Sequence, residues 1–223
     1  MNIDLSKHDI FQTMTAEEID LVLTCSKAYT KQYQKQDVVF SQMDPPLSLY
    51  VLLEGTVAVC KDTMDGKRYL VNKIDEQQVF GEVFLFLNQV EYSYYAVCLT
   101  DCLILEIPKE FLTQSCMGNC QAHAKIMRNL LSVLAGKAYF LNQKVLLLSS
   151  GSLRGKIVRY LFELDHGQKY IHLPLKREQL AAYLNVTRPS LSRELGLMCK
   201  EDLISLDLDV VQILDREAMA NCL

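Results

Sequence analysis

The sequence predicts an α+β chain: an antiparallel β domain, a long helix, then a C-terminal helix-turn-helix domain. Three observations predict it. From about Tyr29 to Pro108 the chain is built of β-branched and aromatic runs separated by turn residues. Met127, Leu131, Leu134, Ala138, Leu141, Val145 and Leu148 then recur at alternating steps of four and three. Residues 176 to 206, KREQLAAYLNVTRPSLSRELGLMCKEDLISL, read as two short helices joined by a tight turn.

The first of these parts opens with a short apolar helix within residues 9 to 28, where Thr15 is placed to cap and Glu18, three residues on, to complete a capping box. The strand runs are Val38–Phe40, Tyr50–Val59, Tyr69–Ile74 and Tyr94–Ile107, broken at Asp44-Pro45-Pro46, Gly55 and Asp65-Gly66. Asp-Gly is a strong hairpin signal because both central residues of the favoured turn need positive φ. Short strands at this spacing predict a small antiparallel barrel or sandwich.

Residues 119 to 148 return to helical period. The four-and-three recurrence is a coiled-coil seam and predicts a second helix from another subunit. Beside it Ile126, Leu130, Val133 and Phe140 form a second apolar strip expected to face the β domain. A helix buried wholly within one chain would also be apolar on both strips. Ser149-Ser150-Gly151-Ser152 reads as a hinge. The expected division is a β domain over 1–118, a dimerisation helix and hinge over 119–150, and a helix-turn-helix domain over 151–223.

In the C-terminal part Leu180, Ala181 and Leu184 share one helical face, and Asn185 is a residue that tolerates the left-handed turn ending a helix. Thr187 stands where an N-cap belongs, and Pro189 falls in the first turn, where its missing N–H is no loss. Leu191, Leu195 and Met198 point inward, which leaves Arg188, Ser190, Ser192 and Arg193 outward. Arginine reads guanine O6 and N7 bidentately, and hydroxyls reach base edges or phosphate. Lys176 and Arg177 start the preceding helix, which is expected to cross the DNA backbone. An ordinary helical hairpin with a solvated face would show the same pattern.

Three motifs in order extend the match over nearly the whole chain: LSLYVLLEGTVAV at 47 to 59, FGEVFLF at 80 to 86, and VTRPSLSRELGLMCKEDLI from Val186. They resemble the β-roll hairpin, the effector-binding cassette and the recognition helix of bacterial Crp/Fnr transcription regulators. The resemblance implies a cyclic-nucleotide-binding-like β-roll, a dimerisation helix and a winged helix-turn-helix. It also implies a homodimer on a palindromic double-stranded operator, with RNA polymerase as a partner. Two turns carry Gln36 and Met43 where the family usually has glycine, so they must accept a side chain or carry strain.

The effector cassette departs further. In relatives that bind cyclic nucleotides a Gly-Glu pair is followed by Arg-Ser; Gly81 and Glu82 match, but Tyr92 replaces the arginine before Ser93. A buried phosphate needs a cation or several donors, and tyrosine offers one neutral donor. Tyr92 and Tyr94 are expected on one strand face with Tyr95 opposite. They read equally as the lining of a pocket for a neutral or aromatic effector or as ordinary strand packing. Glu82 is then a ligand group or a structural carboxylate. In the recognition helix, Pro189 occupies the place of a glutamate that helps relatives read the half-site.

Composition narrows the alternatives. With 22% charged and 50% hydrophobic residues over 223, the chain is ordinary globular material long enough for two modest domains. No apolar run approaches the roughly 18 residues of a membrane span, and MNIDLSKHDIF lacks a signal-peptide pattern, so the cytoplasm is expected. The net charge of −4 argues against nucleic acid until its distribution is read. Arg154, Lys156, Arg159, Lys169, Lys176, Arg177, Arg188 and Arg193 form a basic stretch, after which Glu201, Asp202, Asp207, Asp209, Asp215 and Glu217 make the tail acidic. That tail should keep non-specific DNA affinity low.

The eight cysteines contain no C-x-x-C pair. Cys98 and Cys102 are expected on one strand face, more than ~13 Å apart. Cys116, Cys120 and His123 alone have ligand-like spacing; they offer a redox or gas-responsive alternative beside the simpler reading as buried small hydrophobes. No cofactor is otherwise called for beyond an unidentified small-molecule effector. A cupin-like metalloenzyme would need inward histidines, and the stretch from Tyr29 to Pro108 has none, so no catalytic activity is expected.

Overall fold

Alternation in the sequence is resolved into two sheets and two separate cores within the N-terminal part of the chain. The structure, a computed structural model, describes residues 4–63, 65–87, 89–114, 121–149 and 151–223. It divides into two compact units, Met1–Ala135 and Gly136–Leu223, and the division falls inside the long helix.

Unit 1 begins with two 3-10 turns and helix α1 (Ala16–Ser26), whose capping box is present: Thr15 Oγ1 accepts from the Glu18 N–H and Glu18 accepts from the Thr15 N–H at 2.8 Å. The strands are β1 (Tyr29–Tyr33), β2 (Val38–Phe40), β3 (Ser48–Glu54), β4 (Val57–Asp62), β5 (Arg68–Ile74) and β6 (Val79–Phe80). A short helix α2 (Glu82–Phe86) follows, then β7 (Tyr95–Cys98), β8 (Cys102–Pro108) and α3 (Lys109–Thr113). The strands pair antiparallel in two sheets, β1-β8-β3-β6 and β2-β7-β4-β5.

The run Ser48–Glu54 shows no polar face because both its faces are covered. Leu49, Val51 and Leu53 pack with Ile10, Phe11, Ile19 and Val22 and with Ile126 and Leu130 of the long helix α4 (Gln121–Ser149). Tyr50 and Leu52 point the other way, between the sheets, with Phe40, Phe80 and Tyr92. β8 is divided likewise: Leu105 and Ile107 face the helices, Cys102 and Ile104 the inter-sheet core. A strand with period-2 side chains can feed two cores only when both sheet faces are buried.

Four expectations need correction. The run Tyr94–Ile107 is two strands: the chain turns at residues 99–101, where Thr100 Oγ1 accepts from the Thr56 N–H at 3.0 Å and Asp101 accepts from the Lys35 N–H at 2.9 Å. Cys98 and Cys102 therefore do not lie extended along one strand. They close the ends of consecutive strands, and burial together with the neighbouring thiol pushes Cys98 up to about 12. Tyr92 and Tyr94 precede β7 rather than lying in it. Phe140 is 57% exposed and does not join the buried strip of Ile126 and Leu130. Gln36 and Met43 do adopt left-handed φ, 74° and 69°, a conformation that costs non-glycine residues of order 1 kcal/mol.

Unit 2 holds the end of α4, then α5 (Leu153–Leu164), β9 (Ile171–His172), α6 (Arg177–Tyr183), α7 (Arg188–Lys200), the hairpin β10 (Ile204–Asp207) and β11 (Val210–Ile213), and α8 (Arg216–Ala220). The three strands form an antiparallel wing in the order β10-β11-β9. Leu147 of α4 belongs to this unit's core, together with Ile157, Leu161, Leu180, Leu184, Leu191, Leu195 and Met198. That is why the compact units separate within the helix.

Candidate nucleic-acid interface and effector site

The recognition element is built by its own punctuation. Asn185 takes φ 55° after α6, and Thr187 caps α7, its hydroxyl accepting from the Ser190 N–H at 3.3 Å and sharing a 2.8 Å hydrogen bond with the Ser190 hydroxyl. Pro189 sits in the first turn. Leu191, Leu195 and Met198 are buried, so the helix can present only its other side to solvent. Thr187, Arg188, Ser190, Ser192 and Arg193 are all exposed there.

Lys176 caps α6, its N–H donating to Gln179 Oε1 at 3.1 Å, and its side chain is exposed. Arg177, the first residue of α6, is half-buried and donates from Nη2 to the Leu208 carbonyl at 2.8 Å, tying the helix to the tip of the wing. Leu208 itself is 86% exposed with φ 51°, flanked by the exposed Asp207 and Asp209. The Lys144 ammonium of α4 lies 3.3 Å from the Tyr183 ring centroid and donates to the Tyr183 carbonyl, at the negative end of α6. Burial holds its pKa below the usual lysine range.

In the β-roll, Gly81 has φ 82°, and a Cβ there would fall 2.8 Å from Tyr50 Cδ2, so glycine is required on both counts. Glu82 follows, buried. Tyr92 is 2% exposed: its ring stacks on Phe40 with centroids 3.9 Å apart and meets the edge of Phe84 at 5.1 Å. Tyr94, half-buried, meets Phe84 edge-on at 5.5 Å. Ser93 is exposed, its carbonyl accepting from Gln42 Nε2 at 3.1 Å. The Tyr92 backbone is clamped on both sides, its carbonyl accepting from Met43 N–H at 3.0 Å and its N–H donating to Asp44 at 2.9 Å. Beside it opens a groove of about 660 Å³ lined by Gln42, Met43, Gln89, Val90, Glu91, Tyr92 and Ser93.

The Tyr92 hydroxyl is buried without a hydrogen-bond partner; the Tyr50 hydroxyl is close enough to interact, but the geometry falls short of a bond. Burial pushes the Tyr92 phenol up to about 12, so it stays neutral. Glu106, unmarked in the sequence reading, is also buried and accepts from the Tyr29 and Tyr33 hydroxyls at 2.8 Å each. The register that places it opposite Tyr29 and Tyr50 carries the only signal of this, and register is set by the sheet as a whole. Among the described residues the buried charged side chains are the two carboxylates Glu82 and Glu106, with no buried lysine or arginine.

On α4 the seam positions Leu131, Leu141 and Val145 are 64%, 61% and 63% exposed, with Ala138 and Leu148 also exposed and Met127 and Leu134 half-buried. Cys116 and Cys120 lie outside the described residues. His123 packs on Phe111 at 4.5 Å, and its Nδ1 is buried and unpartnered. Among the described residues no group of three or more His, Cys, Asp or Glu is arranged to hold a metal, and no helix is long and apolar enough to cross a membrane.

Two family models match the chain: a cyclic nucleotide-binding domain over residues 30–119 and a Crp-like helix-turn-helix domain over residues 155–222. The chain is 24% identical over 209 residues to the cyclic AMP receptor protein of Thermus thermophilus, covering 94% of this chain and 93% of that one. It is 23% identical over 197 residues to the fumarate and nitrate reduction regulatory protein of Yersinia pestis, covering 85% and 76%. The crystal structure of the Thermus thermophilus catabolite activator protein shares the fold, with a TM-score of 0.53 at 22% identity over 96% of this chain and 97% of that one. The relatives are transcription regulators and not enzymes. With sensing domain, long helix and recognition element in this order, the chain belongs to the Crp/Fnr family of DNA-binding transcription regulators with an effector-binding domain.

Proposed function

We propose that the protein acts as a homodimer joined along the Met127–Leu148 seam and reads a palindromic site in double-stranded DNA with α7 of each copy. Arg193 and Arg188 read bases with Ser190, Ser192 and Thr187 beside them, while Lys176 and Arg177 hold phosphates. The dimer rests on the exposure of Leu131, Leu141 and Val145 in a coiled-coil register. Burying each such side chain contributes roughly 1.5–3 kcal/mol, and a second copy of the same helix offers the matching seam. Two-fold symmetry then sets half-sites about one helical turn apart. The family resemblance supports RNA polymerase as partner and the cytoplasm as location.

The effector, in this reading, is a neutral or aromatic small molecule rather than cyclic AMP. The observation that carries it is the interior charge: a phosphate there would meet the carboxylates of Glu82 and Glu106, and among the described residues no lysine or arginine is buried. An aromatic ligand entering by the groove at Met43 would take the place of Tyr92 on Phe40 and let the tyrosine hydroxyl reach water. Its binding then shifts the packing of the long helices and reorients the recognition helices.

The seam is tested by Leu141→Glu, which places a charge on an exposed position that costs an isolated chain little. Sedimentation should show monomer, and gel shifts should show loss of operator binding. A dimer of unchanged affinity would remove the seam.

A further inference from the structure

We infer that Arg154 is a positioning residue for the recognition helix: its guanidinium fork fixes α7 against α5 and at the same time neutralises two carboxylates, Glu194 within α7 and Glu201 at its C-cap, that would otherwise repel DNA. Arg154 is the second residue of α5, immediately after the Ser149–Ser152 segment. Its Nε donates to Glu194 Oε1 at 2.7 Å; Nη1 and Nη2 donate to Glu201 Oε2 and Oε1 at 2.5 and 3.0 Å. Arg154 and Glu194 side chains are 26% and 20% exposed, Glu201 46%. Three bonds from one planar group to Glu194 within α7 and Glu201 at its C-cap, seven residues apart, fix both the position and the rotation of the helix. Lysine could not reproduce this, since only the fork supplies parallel donors.

The placement matters because Glu194 adjoins Arg193 in the chain. An unpaired carboxylate there would oppose the approach of α7 to phosphate and to acceptor base edges. The sequence alone puts Arg154 in the basic stretch of the C-terminal part; in the structure it is turned onto Glu194 and Glu201. A residue that holds the reading helix in register acts on discrimination between sequences, whereas a phosphate contact acts on all sequences alike.

The test uses the full chain, a site selected from random oligonucleotides by the wild-type protein, and a random-sequence duplex of equal length. Arg154→Gln should lower the ratio of cognate to random affinity at least tenfold, beyond the weakening of both DNAs that the freed carboxylates cause, and Arg154→Lys should fall between. Glu201→Gln gives a test of opposite sign. Removing a negative charge should by charge alone tighten binding to any DNA, yet loss of the fork should lower the cognate-to-random ratio. Adding Glu201→Gln to Arg154→Gln should then cost little more than Arg154→Gln alone. Equal loss on both DNAs with a salt slope reduced by about one would make Arg154 a phosphate contact. A fall in thermal midpoint with the ratio intact, measured well below that midpoint, would make it merely structural. Either result overturns the inference. Should Arg154→Gln not fold, Glu201→Gln carries the decision by itself. The inference rests on α7 being the reading helix, and Arg193→Ala run in parallel separates the two: if it changes discrimination and Arg154→Gln does not, only the role of Arg154 falls.

Discussion

Tyr92→Phe removes one oxygen atom and little else. The phenyl ring keeps its place on Phe40 at 3.9 Å and against Phe84 at 5.1 Å, and the backbone clamps to Met43 and Asp44 are untouched. What disappears is a hydroxyl buried to 2% exposure without a bond. Leaving such a group unsatisfied costs about 1–3 kcal/mol, and the nearby Tyr50 hydroxyl offsets part of that through its dipole. The variant should therefore be more stable by about 1 kcal/mol, which for a chain of this size raises the midpoint by roughly 2–4 °C. The chain has no tryptophan, so urea unfolding is best followed by near-ultraviolet dichroism of the tyrosines, fitting the β-roll transition on its own because two units need not unfold together. Tyr92→Ala is the control: it opens a cavity and should cost about 3–5 kcal/mol. If Tyr92→Phe were destabilising by 1 kcal/mol or more, the hydroxyl would have a partner, and the latent gain on ligand-driven displacement of Tyr92 would vanish.

Three further outcomes follow from the same geometry. Arg193→Ala should cost about 1–3 kcal/mol on the cognate site and relax preference at one base pair per half-site, whereas Lys176→Ala should weaken all sequences and flatten the salt slope by about one; equal effects from both in gel shifts would end the distinction. Cyclic AMP should bind weakly or not at all in calorimetry, and micromolar affinity would require a cation from elsewhere, the exposed Arg128 being one candidate. Glu18 accepts from Lys125 Nζ at 2.7 and 2.9 Å and from the Thr15 N–H, and these bonds hold its carboxyl below the usual range. A depressed carboxylate stabilises above its unfolded pKa and loses that contribution as pH falls through the folded one. Glu18→Gln should thus be less stable at pH 7 and lose less stability on acidification below about pH 4.3; parallel pH curves for the two proteins would refute this.

Local signals carried most of the fold. Capping at Thr15 and Thr187, the left-handed Asn185, the inward Leu191, Leu195 and Met198 and the strip of Ile126 and Leu130 all follow from residue type and spacing within a few positions. The break at residues 99–101 was not legible, because Leu99, Thr100 and Asp101 carry neither glycine nor proline; the turn is held by Thr56 and Lys35, which are distant in sequence. At the candidate sites the residue substitution at Tyr92 is visible in the chain, but its stacking partner Phe40, the carboxylate Glu106 and the three bonds of Arg154 are products of sheet register and helix packing. Charge counting along the sequence placed Arg154 in the basic stretch of the C-terminal part, and it could not register that its guanidinium is paired with Glu194 and Glu201.

The wing tip has a kinetic meaning. With Asp207 and Asp209 flanking an exposed Leu208, the hairpin adds no cations to the DNA-binding domain. Affinity for arbitrary sequence grows with the number of phosphates neutralised, so a hairpin without cations makes each unproductive encounter briefer, and each one-dimensional excursion along the duplex shorter, than a basic wing would. Competing genomic positions number in the millions, and a regulator held weakly by them is mostly free to search by repeated collision. Compared with a basic wing, fewer copies then suffice to occupy a true operator, and occupancy follows changes in the protein's active fraction more quickly, since the reservoir of non-specifically bound protein that has to drain is smaller.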